Sequence, residues 1–263
     1  MAGGGQEIET PPLALVTGGH RRLGARIAMH LASAGYALAI HGRHDAVPHR
    51  FLKERLAETG AEWHGFVGDF LDEGAVEELI PAVIAHFGRA PDLLVNSASL
   101  FGESDLASVS EAELAAYYRV NTSAPVLLTQ AFSAAERPAG QNASVVNILD
   151  QRLAQPHGDQ LAYTLGKAGL EAFTRIAART LAPNIRVNAV SPGLTLATYD
   201  YTPDQLDRLA QLAPLGALPT PEDVAEAVLY LAHARAVTGQ TIIVDGGAHM
   251  KSYERDFVHL AGE

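Results

Sequence analysis

The chain contains no cysteine, which excludes disulfides, thiolate metal ligands and a cysteine nucleophile. It has no apolar run long enough to cross a bilayer. Its first twelve residues, MAGGGQEIETPP, lack the basic-then-apolar order of a signal peptide and read as a flexible arm. Basic residues are in deficit: 19 Lys and Arg face 30 Asp and Glu, for a formal charge of −11. That balance argues against nucleic acid or an anionic membrane as the main partner, so any anionic ligand must be held by local cations. Internal repeats, linkers and low-complexity blocks are absent as well. These absences make a soluble, cytoplasmic, single-domain protein the expectation, and 263 residues suffice for a substantial core.

What is present is an alternation. Short apolar runs at 13–17, 36–40, 63–68, 92–98, 144–149, 185–190 and 240–245 read as strands, with helical patterns such as 24–35 and 161–182 between them. Runs apolar almost throughout suit a parallel sheet covered on both faces. The order predicts an α/β fold, a Rossmann-type doubly wound parallel sheet with helices on both faces. The boundaries are an arm at 1–12, the domain at 13–249 and a tail at 250–263. Within the domain, residues 196–219 carry no strand signal and are placed as a substrate lid.

The first strand runs into VTGGHRRLG. Gly18, Gly19 and Gly24 permit a tight turn and close approach to a pyrophosphate at the helix N-terminus, although an ordinary turn has the same composition. The second strand ends in IHGRH, with Arg43 where an NAD site usually has a carboxylate. Arg43 and Arg21 suit a ribose 2′-phosphate, and NADP(H) is the cofactor expected; solvated loop arginines are the plainer alternative. Candidate cofactor contacts in the glycine loop are Gly18, His20, Arg21, Arg22 and Leu23. After the third strand come Asp69 and Phe70; Asp69 either accepts from the adenine amino group or caps the following helix. Asn96, Ser97 and Ala98 end the fourth strand, where they line the cofactor or satisfy a turn. His41, His44 and His49 lie near Asp45, but in a surface loop without metal-ligand spacing, so no metal site is expected.

Tyr163 and Lys167 stand four apart on one helical face. A nearby ammonium favours the phenolate and so eases proton donation. Taken in order, TGGHRRLG, NSAS, Asn121 in YRVNTSAP, YTLGK, SPGL and VDGG resemble the short-chain dehydrogenase/reductase superfamily from about Leu13 to His249. The resemblance implies about seven parallel strands, a homotetramer, and a tetrad of Asn121, the residue at 150, Tyr163 and Lys167. In it the lysine also holds the nicotinamide ribose and the asparagine supports a relay water. Ser191, Pro192, Gly193 and Thr195 match the loop at the nicotinamide end.

The departures narrow the reading. Arg22 replaces a usual glycine, and the loop is similar to that of pteridine and dihydromonapterin reductases. Such enzymes carry aspartate in place of the tetrad serine, as Asp150 does here, and an aromatic shortly after the NAS turn, matching Phe101. Serine at position 97 departs from their usual asparagine. A carboxylate facing a ketone repels the oxyanion that develops on hydride transfer. A pterin has ring N–H donors and a reducible C=N, which needs a proton instead. Asp150 then accepts from the ring or relays a proton with Tyr163, Phe101 stacks on it, Arg22 bridges it to the phosphates, and Ser99 completes the substrate contacts. Each also has a plainer reading: Phe101 as core, Arg22 as a loop cap, Asp150 facing water. The expectation is NADPH-dependent reduction of a dihydropterin, with dihydromonapterin, dihydrobiopterin and dihydrofolate as the candidates. The alternatives are a ketone or 3-oxoacyl thioester reductase, and a non-catalytic NADP(H)-binding protein.

Overall fold

The computed structural model describes residues 10–138, 140–141, 143–196, 201–255 and 257–260. Seven strands, Leu13–Val16 (β1), Ala37–Gly42 (β2), Trp63–Val67 (β3), Leu93–Asn96 (β4), Ala143–Ile148 (β5), Ile185–Pro192 (β6) and Thr241–Val244 (β7), form one sheet. Its order is β3-β2-β1-β4-β5-β6-β7, and every pairing is parallel. The strand order reverses between β1 and β4, which opens a crevice beyond their carboxyl ends. Each strand matches an apolar run of the sequence. Two of them continue further: β2 pairs with β3 through Gly42↔Val67, and β6 pairs with β7 through Pro192↔Val244.

Alternation within the strands builds both faces. Ala14 and Val16 pack with helices Arg22–Ser33 (α1), Arg50–Thr59 (α2) and, across α1, Pro221–His233 (α8), burying Ile27, Leu31, Leu52 and Val228. Leu13 and Leu15 face the other way, toward Ala75–Phe87 (α3), Ala124–Ala134 (α5) and Leu161–Leu181 (α6), burying Ile80, Leu128 and Phe132. The remaining helices are Glu111–Tyr118 (α4), Pro203–Leu212 (α7) and Phe257–Leu260 (α9). Among the described residues no helix is long and apolar enough to cross a membrane.

The segment after β6 holds α7, which Thr202 and Gln205 start with a capping box; residues 197–200 of the expected lid lie outside the described residues. Leu209 and Ala213 form a small apolar cluster with Leu194, Leu218, Tyr253 and Leu260. The tail, whose course the sequence leaves open, folds back on its own chain. Lys251 Nζ and Tyr253 Oη both donate to Leu212 O, at 2.6 and 3.1 Å, and Arg255 Nε lies 3.6 Å from Asp159 Oδ2.

One expectation is corrected. His41 is not a solvated loop histidine: it lies in β2, is 2% exposed, and stacks on Phe70 at 4.4 Å with the rings 4° from parallel. Its Nε2 lies 2.8 Å from Gly68 O and its Nδ1 3.4 Å from Gly18 N. The neutral Nε2–H tautomer satisfies both, donating to the carbonyl and accepting from the amide. The sequence hid this because β2 runs two residues past its apolar run. Burial pushes the imidazole down to about 4 from 6.5. Between these values the unfolded chain binds the extra proton, so stability present above pH 6.5 is lost as pH falls toward 4. Denaturant titrations of wild type and His41→Gln are expected to diverge across that window, the wild type losing more stability on acidification.

Candidate active site

The floor of the crevice is built from small residues. Gly18 has φ +63°, and a Cβ there would meet Ala98 Cα at 3.0 Å. A Cβ on Gly24 would collide with the Gly18 carbonyl oxygen, so α1 starts directly on the loop. Thr17 Oγ1 accepts from the amides of Ser97 and Ala98, each at 3.0 Å, docking the turn after β4 on the turn after β1. Arg22 opens α1 at φ +50°, in a region natural to the glycine that the loop pattern leads one to expect. A side chain held there is strained, as residues at working sites often are.

At the other end, Asp150 follows β5 and caps a short 3₁₀ turn, its Oδ1 accepting from Arg152 N at 2.9 Å. Tyr163 Oη donates to Asp150 Oδ2 at 2.8 Å. Both Tyr163 and Lys167 are buried on α6, one turn apart. Lys167 Nζ donates to Ile148 O at 2.7 Å and stands 5.8 Å from the Tyr163 ring centroid. Burial pushes this ammonium down to about 8 from 10.5, with Asp150 pulling the other way. Phe101, 40% exposed, meets the Tyr163 ring edge-on at 4.9 Å. The arrangement is a carboxylate and a phenol sharing a hydrogen bond, a buried lysine behind them, and an accessible aromatic face beside them.

These groups share one cavity of about 620 Å³, within the ordinary range for a small-molecule site. Of the residues picked out from sequence, Gly18, Arg21, Arg22 and Leu23 line it from the glycine loop. Ser97, Ala98, Ser99 and Phe101 line it from the turn after β4, Asp150, Tyr163 and Lys167 from the centre, and Pro192, Gly193 and Thr195 from the end of β6. Arg21, Arg22, Arg152 and Lys167 make this lining locally cationic in an acidic chain.

Other candidates stand outside that lining. His20 is 3% exposed and its ring packs against Gly42. Phe70 is buried beneath His41. Asn96 is buried, donating to Asn147 Oδ1 at 2.8 Å. Arg43 Nε holds Asp69 Oδ2 at 2.7 Å where β2 and β3 end, and Asp69 Oδ1 accepts from Leu71 N. Arg21, which does line the cavity, likewise pairs with Asp45 at 2.8 Å. Asn121 sits in a π-helical turn, Arg119–Ser123, between α4 and α5. It is fully buried; its Oδ1 accepts from Leu100 N and Ser99 Oγ, and its Nδ2 donates to Leu100 O. Here Asn121 fixes the turn that carries Phe101.

Sequence reasoning missed three contributors. Thr17 gives no signal beyond a common strand-end threonine. Asn147 does: it interrupts an apolar strand opposite Asn96 in the β4–β5 register, and it passes a hydrogen bond to Thr174 Oγ1 at 2.9 Å. Arg152, buried beside Asp150, gives none.

A parallel seven-stranded sheet with a glycine turn after β1 and an Asp, Tyr and Lys group over its carboxyl end defines a Rossmann-type oxidoreductase. The chain belongs to the short-chain dehydrogenase/reductase superfamily, and the family model described as enoyl-(acyl carrier protein) reductase matches residues 19–249. It is 32% identical over 250 residues to the granaticin polyketide synthase putative ketoacyl reductase 2 of Streptomyces violaceoruber, covering 91% of this chain and 96% of that protein. It is also 32% identical over 282 aligned residues to pteridine reductase 1 of Leishmania tarentolae, covering 90% and 96%. Among solved structures it is similar to FolM alternative dihydrofolate reductase 1 from Brucella canis complexed with NADP. That match has 35% identity, a TM-score of 0.83, and coverage of 93% of this chain and 96% of the other.

Proposed function

We propose that this protein uses NADPH to reduce the ring C=N of a dihydropterin, dihydrofolate included, to the tetrahydro form. The observation that carries the reading is the 2.8 Å hydrogen bond between Tyr163 Oη and Asp150 Oδ2, beside the open face of Phe101.

The lining fits the cofactor: the glycine turn leaves no side chain between backbone and cavity at Gly18, and Arg21 and Arg22 supply cations for phosphate oxygens. Arg43, at the end of β2, is the group for a 2′-phosphate, with Pro192, Gly193 and Thr195 at the opposite end. NADPH supplies a hydride to the ring carbon. The ring nitrogen then needs one proton, which Tyr163 gives, with Asp150 as its hydrogen-bond partner and relay. Lys167 sets a positive charge behind the phenol, and Phe101 stacks on the flat ring. A ketone gains nothing from Asp150, because the carboxylate opposes the negative charge that grows on the oxygen. The same reading takes residues 196–219 as a lid and the assembly as a homotetramer.

The test is NADPH consumption by purified protein with 7,8-dihydromonapterin, dihydrobiopterin, dihydrofolate and a 3-oxoacyl thioester. Turnover of dihydropterins is expected. Turnover of the thioester alone would favour the ketoacyl reading that the Streptomyces relative suggests, and cofactor binding without any turnover would favour a binding protein. Arg43→Ala is expected to weaken NADPH binding by about 10- to 100-fold while changing NADH binding little, because a charge-assisted pair to the 2′-phosphate is lost. Fluorescence titration with both nucleotides checks this.

A further inference from the structure

Arg152 is an expensive residue in an unexpected place. It is 6% exposed, in a chain with polar surface to spare. Its Nη1 donates to Gln160 Oε1 at 2.7 Å, to Asp159 O at 3.2 Å and to Thr164 Oγ1 at 3.4 Å. Its Nε lies 3.6 Å from Asp150 Oδ1, the oxygen that also accepts from its own backbone N–H. The guanidinium carbon stands 5.3 Å from the Tyr163 ring centroid and 5.9 Å from that of Phe101. One planar group thus reaches a carboxylate, a phenol ring and an exposed stacking ring.

Its anchor is strained. Gln160 is fully buried with φ +51°, and its Nε2 donates to Glu103 Oε1 at 3.2 Å. Among the described residues Gln160 and Arg22 are the two non-glycines at positive φ. Arg22 lines the cavity, and Gln160 holds Arg152, which lines it too. Fold stability alone gives no reason for this, since a buried ion pair is generally no better than apolar residues of similar volume. Strain and a desolvated charge meeting at one cavity point to function.

We propose that Arg152 is a positioning residue for the reaction: tethered by Gln160, its guanidinium turns Asp150 toward Tyr163 and steadies Phe101, presenting acid pair and stacking face to one flat substrate. The geometry divides the labour. Asp150 Oδ1 accepts from the Arg152 backbone N–H at 2.9 Å and faces the guanidinium Nε at 3.6 Å, which leaves Oδ2 for Tyr163. Without the guanidinium the carboxylate keeps its bonds to the backbone N–H of residue 152 and to Tyr163 but loses the positive charge 3.6 Å from Oδ1, and Phe101 loses a cationic neighbour. A fork can satisfy Gln160 and Asp150 together, whereas an ammonium is a single point.

The proposal rests on Asp150 and Tyr163 being the reacting pair, and the test separates the two. Steady-state kinetics with dihydropterin and NADPH are measured for wild type, Arg152→Met, Asp150→Asn and the double variant, with NADPH binding followed by fluorescence. Arg152→Met is expected to lower kcat/KM by about 30- to 100-fold, the low end of the cost of losing one partner of a buried charge pair, with NADPH affinity within about threefold of wild type. In the Asp150→Asn background the same change is expected to cost under about threefold, because coupled residues are not additive. Equal losses in both backgrounds, or loss of NADPH binding in step with activity, would mark a merely structural residue and overturn the proposal. Arg152→Lys keeps a charge in the slot and serves if the methionine variant does not fold. A loss of at least about tenfold is expected for it, and wild-type kcat/KM would overturn the forked role. A wild type inert toward every dihydropterin would sink the functional reading itself, whereas an active wild type without coupling sinks this proposal alone.

Discussion

Asp150→Ser is expected to lower kcat/KM for a dihydropterin by about 10²- to 10⁴-fold, the usual worth of a positioned acid or base, with NADPH affinity almost unchanged. Serine keeps a short polar side chain at the end of β5 but removes the acceptor now 2.8 Å from Tyr163 Oη. It also removes the carboxylate that faces Arg152 Nε at 3.6 Å. The cofactor contacts proposed above do not include Asp150, so binding and turnover are expected to separate. The opposite result is informative. A serine variant that matched the wild type on dihydropterins, or improved turnover of a 3-oxoacyl thioester alone, would mean that the carboxylate is a tolerated substitution in a ketone reductase. Parallel assays of both substrates on both proteins decide it.

Lys167 carries the second large expected effect, with activity and stability expected to follow opposite pH profiles. The folded protein releases the ammonium proton at about pH 8, whereas the unfolded chain keeps it until 10.5. Between those values the unfolded state binds more protons, so this group makes the protein more stable as pH rises, by up to about 1.4 kcal/mol per pH unit. Turnover is expected to do the reverse. On the proposed mechanism Tyr163 gives up its proton beside a positive charge, and above about pH 8 that charge disappears, so kcat/KM is expected to fall towards tenfold per unit. Lys167→Met is expected to remove the stability slope and to lower turnover by about 10²- to 10⁴-fold at neutral pH. Denaturant titrations from pH 7 to 10.5 on both proteins, beside pH–rate profiles, test the pair of trends. A wild-type rate that stays level up to pH 10.5 would show that the lysine charge is not used.

Much of the scaffold was legible because local patterns suffice for it. The runs LALV, LLVN and SVVNI are apolar on both sides since both faces of the sheet are covered, and they fold as β1, β4 and β5 at nearly the boundaries that composition marks. Gly18 and Gly24 announced a turn that a Cβ would obstruct, and the spacing of Tyr163 and Lys167 placed both on one face of α6. Asp150 stood out because the resembled superfamily usually has serine there. His41 was misread, because its burial depends on pairing with β3 and on Phe70, neither of which its neighbours in sequence reveal.

What the sequence by itself determined is therefore the alternation of strands and helices, the glycine turn, and the identities of Asp150, Tyr163, Lys167 and Phe101. Only the tertiary structure decided which oxygen of Asp150 meets Tyr163, that Asn121 is committed to the Leu100 backbone, and that Arg152 lies beside two touching aromatic rings. The reason is physical. Periodicity and turn chemistry act over a few residues along the chain, whereas Glu103, Gln160 and Arg152 come within hydrogen-bonding reach of one another only after β4, β5 and α6 have packed, and no local pattern records that meeting.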